Sequence, residues 1–316
     1  MTDPYPSRCS TRPEVLPRQE PVAWQEWSPD APLSRERYEA WCRDGFLVLD
    51  DVFDEDEIAV FQAELERLRA HPDLAGLEEC IAEPTHHELR SLFAPQHHSA
   101  LYRTLMRDAR LLEIARFLLG DDVYVHQSRV NFKPGFQGRE FFWHSDFETW
   151  HAEDGLPGMR ALSASIALTE NTACNGPLML IPGSHREFIS CVGDTPDEHY
   201  RRSLQRQEAG LPDMDNIERL AANGIRAATG KVGTVTLFDC NTLHGSAGNL
   251  SPWPRSNLFF VYNSVSNRPQ APFAASQPRP WYISEREDFA PLQPVRPDYV
   301  AEFGTSSARA RKRKVA

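Results

Sequence analysis

The sequence predicts a mainly β protein with flanking helices, built on a double-stranded β-helix (jelly-roll, cupin-like) core. Two observations predict it. Helical patterning comes first along the chain, and from residue 123 onward short β-rich runs follow, separated by Gly, Pro, Asn and Asp. The composition also holds 25 Pro against 17 Gly, which suggests many rigid loops and strand edges. Length alone would suggest two domains for 316 residues, but one decorated all-β domain reaches this size.

Residues 1–33 are rich in Pro, Ser and charge and read as an extended N-terminal arm. Residues 46–49 read as a short strand. Asp54 then begins a helix, with Glu57 placed to complete a capping box. Ile58, Phe61, Leu65 and Leu68 follow at helical spacing and face a core. A second helix runs over 108–119, with Asp108 as N-cap and Gly120 as C-terminal stop. The predicted strands are 123–132, 161–168, 178–181, 234–238 and 258–263. A polar insert with helical character spans about 197–223. Residues 34–300 therefore read as one jelly-roll domain, and 301–316 as a flexible basic tail.

Bulk properties exclude several classes. Asp and Glu total 45 against 34 Lys and Arg, a net charge of −11, which argues against a general nucleic-acid binder. The basic run Arg309 to Lys314 reads as a solvated terminus. No apolar run is long enough to cross a membrane, and the N-terminus has no apolar core of a secretory signal. Cys9, Cys42, Cys80, Cys174, Cys191 and Cys240 are scattered without a CxxC pair, so a reducing cytoplasm is the expectation. The oligomeric state stays open, with a homodimer among the options.

The densest chemistry lies in the run Phe141 to Trp150. On a strand, side chains at i and i+2 share a face, so His144 and Asp146 can hold one metal together. His244, at the end of a later strand and followed by Gly245, is the best third ligand, with His185 in reserve. Two His and one carboxylate on one face form the facial triad of non-haem Fe(II) oxygenases. Such a triad leaves room for a bidentate 2-oxo acid and O2. Ser246 lies two residues after His244, and Arg255 eleven residues after it. A hydroxyl and an arginine fork suit the far carboxylate of 2-oxoglutarate. His86, His87, His97 and His98 read as surface or loop residues, and His151 breaks the alternation from Asp146.

The strand at 123–133 carries an unusual polar stripe. Gln127, Arg129, Asn131 and Lys133 share one face, and His126, Ser128, Val130 and Phe132 the other. Ser163 and Ser165 give strand 161–168 a similar small polar face. Such faces either meet solvent or line a cavity with donors for a charged small molecule. Nearby Phe142, Trp143, Phe147, Trp150, Phe259 and Phe260 suit a core, and one or two could hold a delocalised cation.

The run Phe142 to Gly155 resembles the signature of the ectoine hydroxylases, within the phytanoyl-CoA dioxygenase branch of the Fe(II)/2-oxoglutarate oxygenases. Gln127-Ser128-Arg129, Asn131, Lys133-Pro134-Gly135, Pro182-Gly183-Ser184-His185, and His244-Gly245-Ser246 with Arg255 extend the resemblance over roughly residues 30–300. The resemblance implies a jelly-roll core and hydroxylation of ectoine to 5-hydroxyectoine, with 2-oxoglutarate and O2 consumed and succinate and CO2 released. It implies that His144, Asp146 and His244 hold Fe(II), and that Lys133, Asn131, Ser246 and Arg255 hold 2-oxoglutarate. On the substrate side it implies Gln127 and Trp150, with Arg129, Thr149, Ser165 and Phe259 beside them. The residues by themselves leave two other readings: hydroxylation of another small metabolite or acyl thioester, and a non-catalytic jelly-roll module with a bound metal.

Overall fold

The computed structural model describes residues 3–74, 76–82, 89–203 and 209–304. The strands in chain order are β1 (Val15–Pro17), β2 (Phe46–Leu49), β3 (Cys80–Ala82), β4 (Leu89–Phe93), β5 (Val123–Lys133), β6 (Phe141–His144), β7 (Ala161–Ala167), β8 (Leu178–Leu180), β9 (Glu187–Ile189), β10 (Arg226–Ala228), β11 (Val235–Asp239), β12 (His244–Ser246) and β13 (Arg255–Ser264). They form a seven-stranded sheet in the order β2-β11-β7-β13-β5-β4-β3 and a four-stranded sheet in the order β10-β8-β12-β6. A two-stranded ribbon joins β1 to β9. Every pairing is antiparallel.

Residue alternation explains the layering. On the outer face of the large sheet, Val130, Leu162, Ile166, Leu237, Leu258 and Phe260 pack with Phe61, Leu65, Leu111, Leu112 and Leu118 from the helices. On the inner face, Phe238 and Phe259 form a buried cluster with Leu178, Leu180 and Ala228 of the small sheet. The two sheets thus face each other, as in a jelly roll. The long helices Glu55–Arg69 and Ala109–Leu119 pack on the outer face, because the inner face of the large sheet carries polar residues.

Both expected helices form with the expected ends. In Glu55–Arg69 the Asp54 carboxylate accepts from the Glu57 amide at 2.8 Å, and the Glu57 carboxylate accepts from the Asp54 amide at 3.0 Å. Helix Ala109–Leu119 starts with Asp108 accepting from the Arg110 amide and ends at Gly120, which adopts a left-handed conformation with φ 59°. The strand expected at 258–263 starts earlier, at Arg255, because its first residues are polar, with Arg255 and Asn257 turned inward. The short strands β3, β4, β9 and β10 and helix Arg35–Asp44 carry no clear periodicity and lie outside the elements expected from the sequence. The insert holds helices Tyr200–Ser203 and Met214–Leu220. The basic run at 309–314, and His86 and His87, lie outside the described residues.

The expected alternation of strand 123–133 fails at one point. Gln127 pairs with Val261, but Val125 pairs with Tyr262, so His126 is an extra residue. This bulge shifts the phase. His126 therefore leaves the face of Ser128 and Val130 and turns toward Asp154 at 3.2 Å and Trp150.

His185 is not a ligand of the metal group expected around His144. It sits fully buried in the turn Ser184–Arg186, against Gly45 at the end of helix Arg35–Asp44. A Cβ on Gly45 would fall 2.3 Å from the His185 ring, so only glycine fits there. Burial pushes the His185 imidazole down to about 4. The unfolded chain, with an ordinary histidine value of about 6.5, therefore takes up this proton first on acidification. The stability that His185 contributes is present above pH ~6.5 and is lost between there and pH ~4. His185→Gln should flatten the fall in Tm between these values. An acid limb as steep as that of the unaltered chain would overturn this assignment.

Candidate active site

His144 ends β6, and the strand stops there rather than running on to Asp146. Ser145 stays extended with φ −101° and ψ 130°, so Asp146 still points to the same side as His144 although it opens a helical turn. Asp146–Thr149 is followed by a π-turn at Trp150–Asp154, a widening of the helix that recurs at functional sites. His244 does not end a strand but begins β12, where it pairs directly with His144 across the small sheet.

The three side chains converge. His144 Nε2 lies 3.7 Å from one Asp146 oxygen, and His244 Nε2 lies 3.8 Å from the other. One ligand atom from each lies within 4.8 Å of the others, which is the one such group of three among the described residues. Backbone carbonyls hold both rings. His144 Nδ1 donates to Phe142 O at 2.6 Å, and His244 Nδ1 donates to Thr242 O at 2.9 Å. A carbonyl only accepts, so each Nε2 is left with a lone pair directed toward Asp146. Burial, aided by the neighbouring His144, pushes the His244 imidazole down to about 4. Burial opposes ionisation of Asp146, yet His244, Arg129 and His144 together hold its carboxyl below the ordinary value. Two imidazole lone pairs and one carboxylate fit a divalent cation such as Fe(II) and leave coordination positions open.

This group borders a cavity of about 380 Å³ between the sheets. Gln127, Arg129, Asn131, Thr149, Trp150, Ser246, Arg255 and Phe259 line it with the triad. Arg255 is the most telling of them. It is 3 % exposed, and its Nε and one Nη have no hydrogen-bond partner. Burial alone pushes its guanidinium down to about 10. An uncompensated buried cation is costly, and an anion in the cavity would compensate it. Arg129 lies over the Phe259 ring at 4.8 Å and donates to Gln127 Oε1. Gln127 in turn donates to Ile283 O at 2.8 Å, and Asn131 accepts from Ser91 at 2.9 Å.

Two of the expected site residues do not line the cavity. Lys133 is opposite Arg255 in the β5–β13 register, but its ammonium is directed to Ala247 O and packs over Phe141. Ser165 lies beside Phe259 in register, and its hydroxyl accepts from Asn257 at 3.1 Å. Residues not foreseen also line the cavity, among them Arg279 and Glu153. Arg279 grips Asp154 with two bonds of 2.8 and 2.5 Å. No periodicity marks Arg279, which reaches the cavity from an irregular segment. Glu153 and Asp154 did stand within the recognisable run but carried no ligand spacing. His151 is turned away from the triad, bonded to Leu156 O and Asp3 and stacked on Phe273. His97 meets Trp281 edge-on, and His98 faces Glu79 at 3.5 Å.

Residues 41–257 match the family model described as phytanoyl-CoA dioxygenase (PhyH). The chain is 53% identical over 294 residues to the ectoine dioxygenase of Sphingopyxis alaskensis, covering 93% of this chain and 96% of that one. It is 52% identical over 298 residues to the ectoine dioxygenase of Stutzerimonas stutzeri, covering 94% and 98%. Its fold is similar to the crystal structure of EctD from S. alaskensis with 2-oxoglutarate and 5-hydroxyectoine, with a TM-score of 0.86 and 49% identity over 94% of this chain and 99% of that one. The structure of the same relative with bound Fe gives a TM-score of 0.84 at 48% identity, with the same coverage.

The convergence of the three side chains has a direct consequence. Equilibrium dialysis should find one Co(II) or Fe(II) per chain, and His144→Ala should abolish this binding while leaving the fold intact. Metal binding at unchanged affinity in that variant would sink the ligand assignment.

Proposed function

The chain belongs to the phytanoyl-CoA dioxygenase family, and on that footing we propose that it is an Fe(II)/2-oxoglutarate-dependent dioxygenase that hydroxylates ectoine to 5-hydroxyectoine. The observation that carries this reading is the triad beside an unpaired, buried guanidinium in one cavity. Relatives named ectoine dioxygenase, about half identical over nearly the whole chain, supply the substrate. His144, Asp146 and His244 would hold the iron. Iron held there supplies the oxidising chemistry: one atom of O2 enters a C–H bond of the substrate, and the other ends in succinate as 2-oxoglutarate loses CO2.

The protein's own part is placement and exclusion of water. Arg255 offers a fork to the far carboxylate of 2-oxoglutarate, with Ser246 and Asn131 beside it and Lys133 adding positive charge from behind. Gln127 is in register with Val261, six residues along β13 from Arg255, which is about 20 Å of strand. Substrate and cosubstrate therefore bind toward opposite ends of the cavity. Ectoine carries a carboxylate and a delocalised amidinium. Arg129 suits the carboxylate, and Thr149 lines the same cavity. Arg129 already covers one face of Phe259, so Trp150 is the aromatic wall for the cation. Gln127 Oε1 keeps one acceptor position for an amidinium N–H. Ser165 acts from beside Phe259, through the neighbouring strand and its bond from Asn257. We assign residues 34–300 to one catalytic domain.

Among the described residues no helix is long and apolar enough to cross a membrane, and all six cysteines are unpaired. Unpaired cysteines fit a reducing cytoplasm, where we place the enzyme.

Incubation with Fe(II), 2-oxoglutarate and air should convert ectoine to a product heavier by one oxygen, with succinate formed in equal amount. Mass spectrometry that finds no ectoine-dependent oxygen, but turnover of another small molecule, would overturn the substrate. Arg255→Ala should raise the KM for 2-oxoglutarate by roughly 30-fold or more, the worth of a charge-assisted bidentate bond of about 2–3 kcal/mol. The metal-free variant should be no less stable than the unaltered chain, because an unpaired buried charge is gone. An unchanged 2-oxoglutarate KM counts against the role of Arg255.

A further inference from the structure

The N-terminal arm is extended but not loose. Tyr5 is fully buried, with its ring edge-on to Phe147 at 5.3 Å. Asp3 accepts from His151 at 2.8 Å. The Ser7 hydroxyl donates to Glu148 Oε1 at 2.6 Å. Arg8 is 4 % exposed and adopts a left-handed φ of 57°, which a non-glycine residue keeps only where its surroundings over-determine it. Its guanidinium takes Glu148 through two bonds of 2.9 and 2.7 Å and Glu153 through one of 2.6 Å. Its amide donates to Cys191 O at 2.8 Å.

The partners of Asp3, of the Tyr5 ring edge, of Ser7 and of the two Arg8–carboxylate pairs fall in one stretch. Phe147, Glu148, His151 and Glu153 interleave with Asp146, Thr149 and Trp150, which face the cavity. A short helical turn followed by a π-turn has little hydrogen bonding of its own to hold it rigid. The arm therefore grips the rear of the segment whose front carries a metal ligand and the substrate wall. Glu153 transmits this grip directly, since it lines the cavity and lies 4.0 Å from Arg279. Gly210 closes over the pair, and a Cβ there would fall 2.6 Å from Glu148 and 2.7 Å from Arg8.

We propose that Arg8 is a positioning residue: through Glu148 and Glu153 it clamps the 146–154 segment and so sets the geometry of Asp146 and Trp150. The part of the test that concerns ectoine rests on the function proposed above. A buried Arg–carboxylate network sharpens geometry more than it adds stability, and this is the use the clamp makes of it.

The test compares Arg8→Ala and the milder Ser7→Ala with Asp54→Ala, a helix-cap variant far from the cavity, all in the full chain. Co(II) affinity is read by equilibrium dialysis, and KM is read for ectoine and for 2-oxoglutarate separately. Arg8→Ala is expected to weaken Co(II) binding about tenfold or more, as loss of outer support does at metal sites. It should raise the ectoine KM to a similar degree and leave the 2-oxoglutarate KM near its original value, because Arg255 stands on another strand. Ser7→Ala should shift the first two constants in the same direction by a few-fold, which decides the matter should Arg8→Ala fail to fold. Asp54→Ala should lower the urea midpoint and move none of the three. Unchanged Co(II) affinity and ectoine KM in Ser7→Ala, or in folded Arg8→Ala, would overturn the clamp. A chain that never turns over ectoine would remove the substrate assignment, while the Co(II) arm still decides the role of Arg8.

Discussion

The site depends on the register of β5 against β13. Arg255 lies opposite Lys133, Asn257 opposite Asn131, Phe259 opposite Arg129 and Val261 opposite Gln127. These residues form the inner face, and the intervening Ser256, Leu258 and Phe260 form the outer one. Because side chains alternate with period two, a slip of one residue would send the polar row into the helical core and the apolar row into the cavity. The packing of Val130, Leu258 and Phe260 against Leu111, Leu112 and Leu118 therefore fixes the position of every cavity donor on these strands. Core packing and site geometry are two faces of one constraint. The bulge at His126 is the one relaxation of it. It lets the strand present both Gln127 to the cavity and His126 to Asp154.

The inner face is electrostatically unfinished. Arg8 and Arg279 are paired with Glu148, Glu153 and Asp154. Arg129 is stacked on an aromatic ring, and Arg255 is unpaired. Asp146 is the one carboxylate of the metal group. A dianionic cosubstrate and a divalent metal bring the missing charges in nearly equal number. The cavity thus recognises by charge complementarity as well as by shape, and the desolvation that makes Arg255 costly when alone makes its ion pair strong when filled.

Much of this was legible in the sequence, and the boundary has physical causes. His144, Asp146 and His244 could be read because metal geometry demands particular residue types at particular spacings. The cavity positions of Ser246 and Arg255 could be anticipated because Ser246 shares the strand of His244 and Arg255 opens the next strand along the chain. The i, i+2 argument reached the right pair through an element that is only half strand: one extended residue, Ser145, suffices to keep Asp146 on the side of His144. Lys133 and Ser165 are on the faces expected of them, but local bonds to Ala247 and Asn257 turn them from the cavity. Such bonds depend on contacts more than 90 residues apart, which no local pattern encodes. Arg279 and Arg8 were missed for the same reason. Both come from irregular segments, where hydrophobic periodicity is silent.

The position of Arg8 also explains why an arm rich in proline and charge is ordered at all. Such composition does not bury enough apolar surface to offset the entropy of ordering. Tyr5 is the one large apolar side chain of residues 3–9, and it is fully buried. Much of the remaining anchoring is ionic: Asp3 pairs with His151, and Arg8 with Glu148 and Glu153. Those partners would themselves be left as buried charges without the arm. Each side therefore supplies what the other lacks, and neither the arm nor the 146–154 segment is complete alone. A segment completed from outside can be held in a geometry that its own short turns would not impose. That is what a candidate metal ligand and a wall of the cavity carried on the same nine residues require.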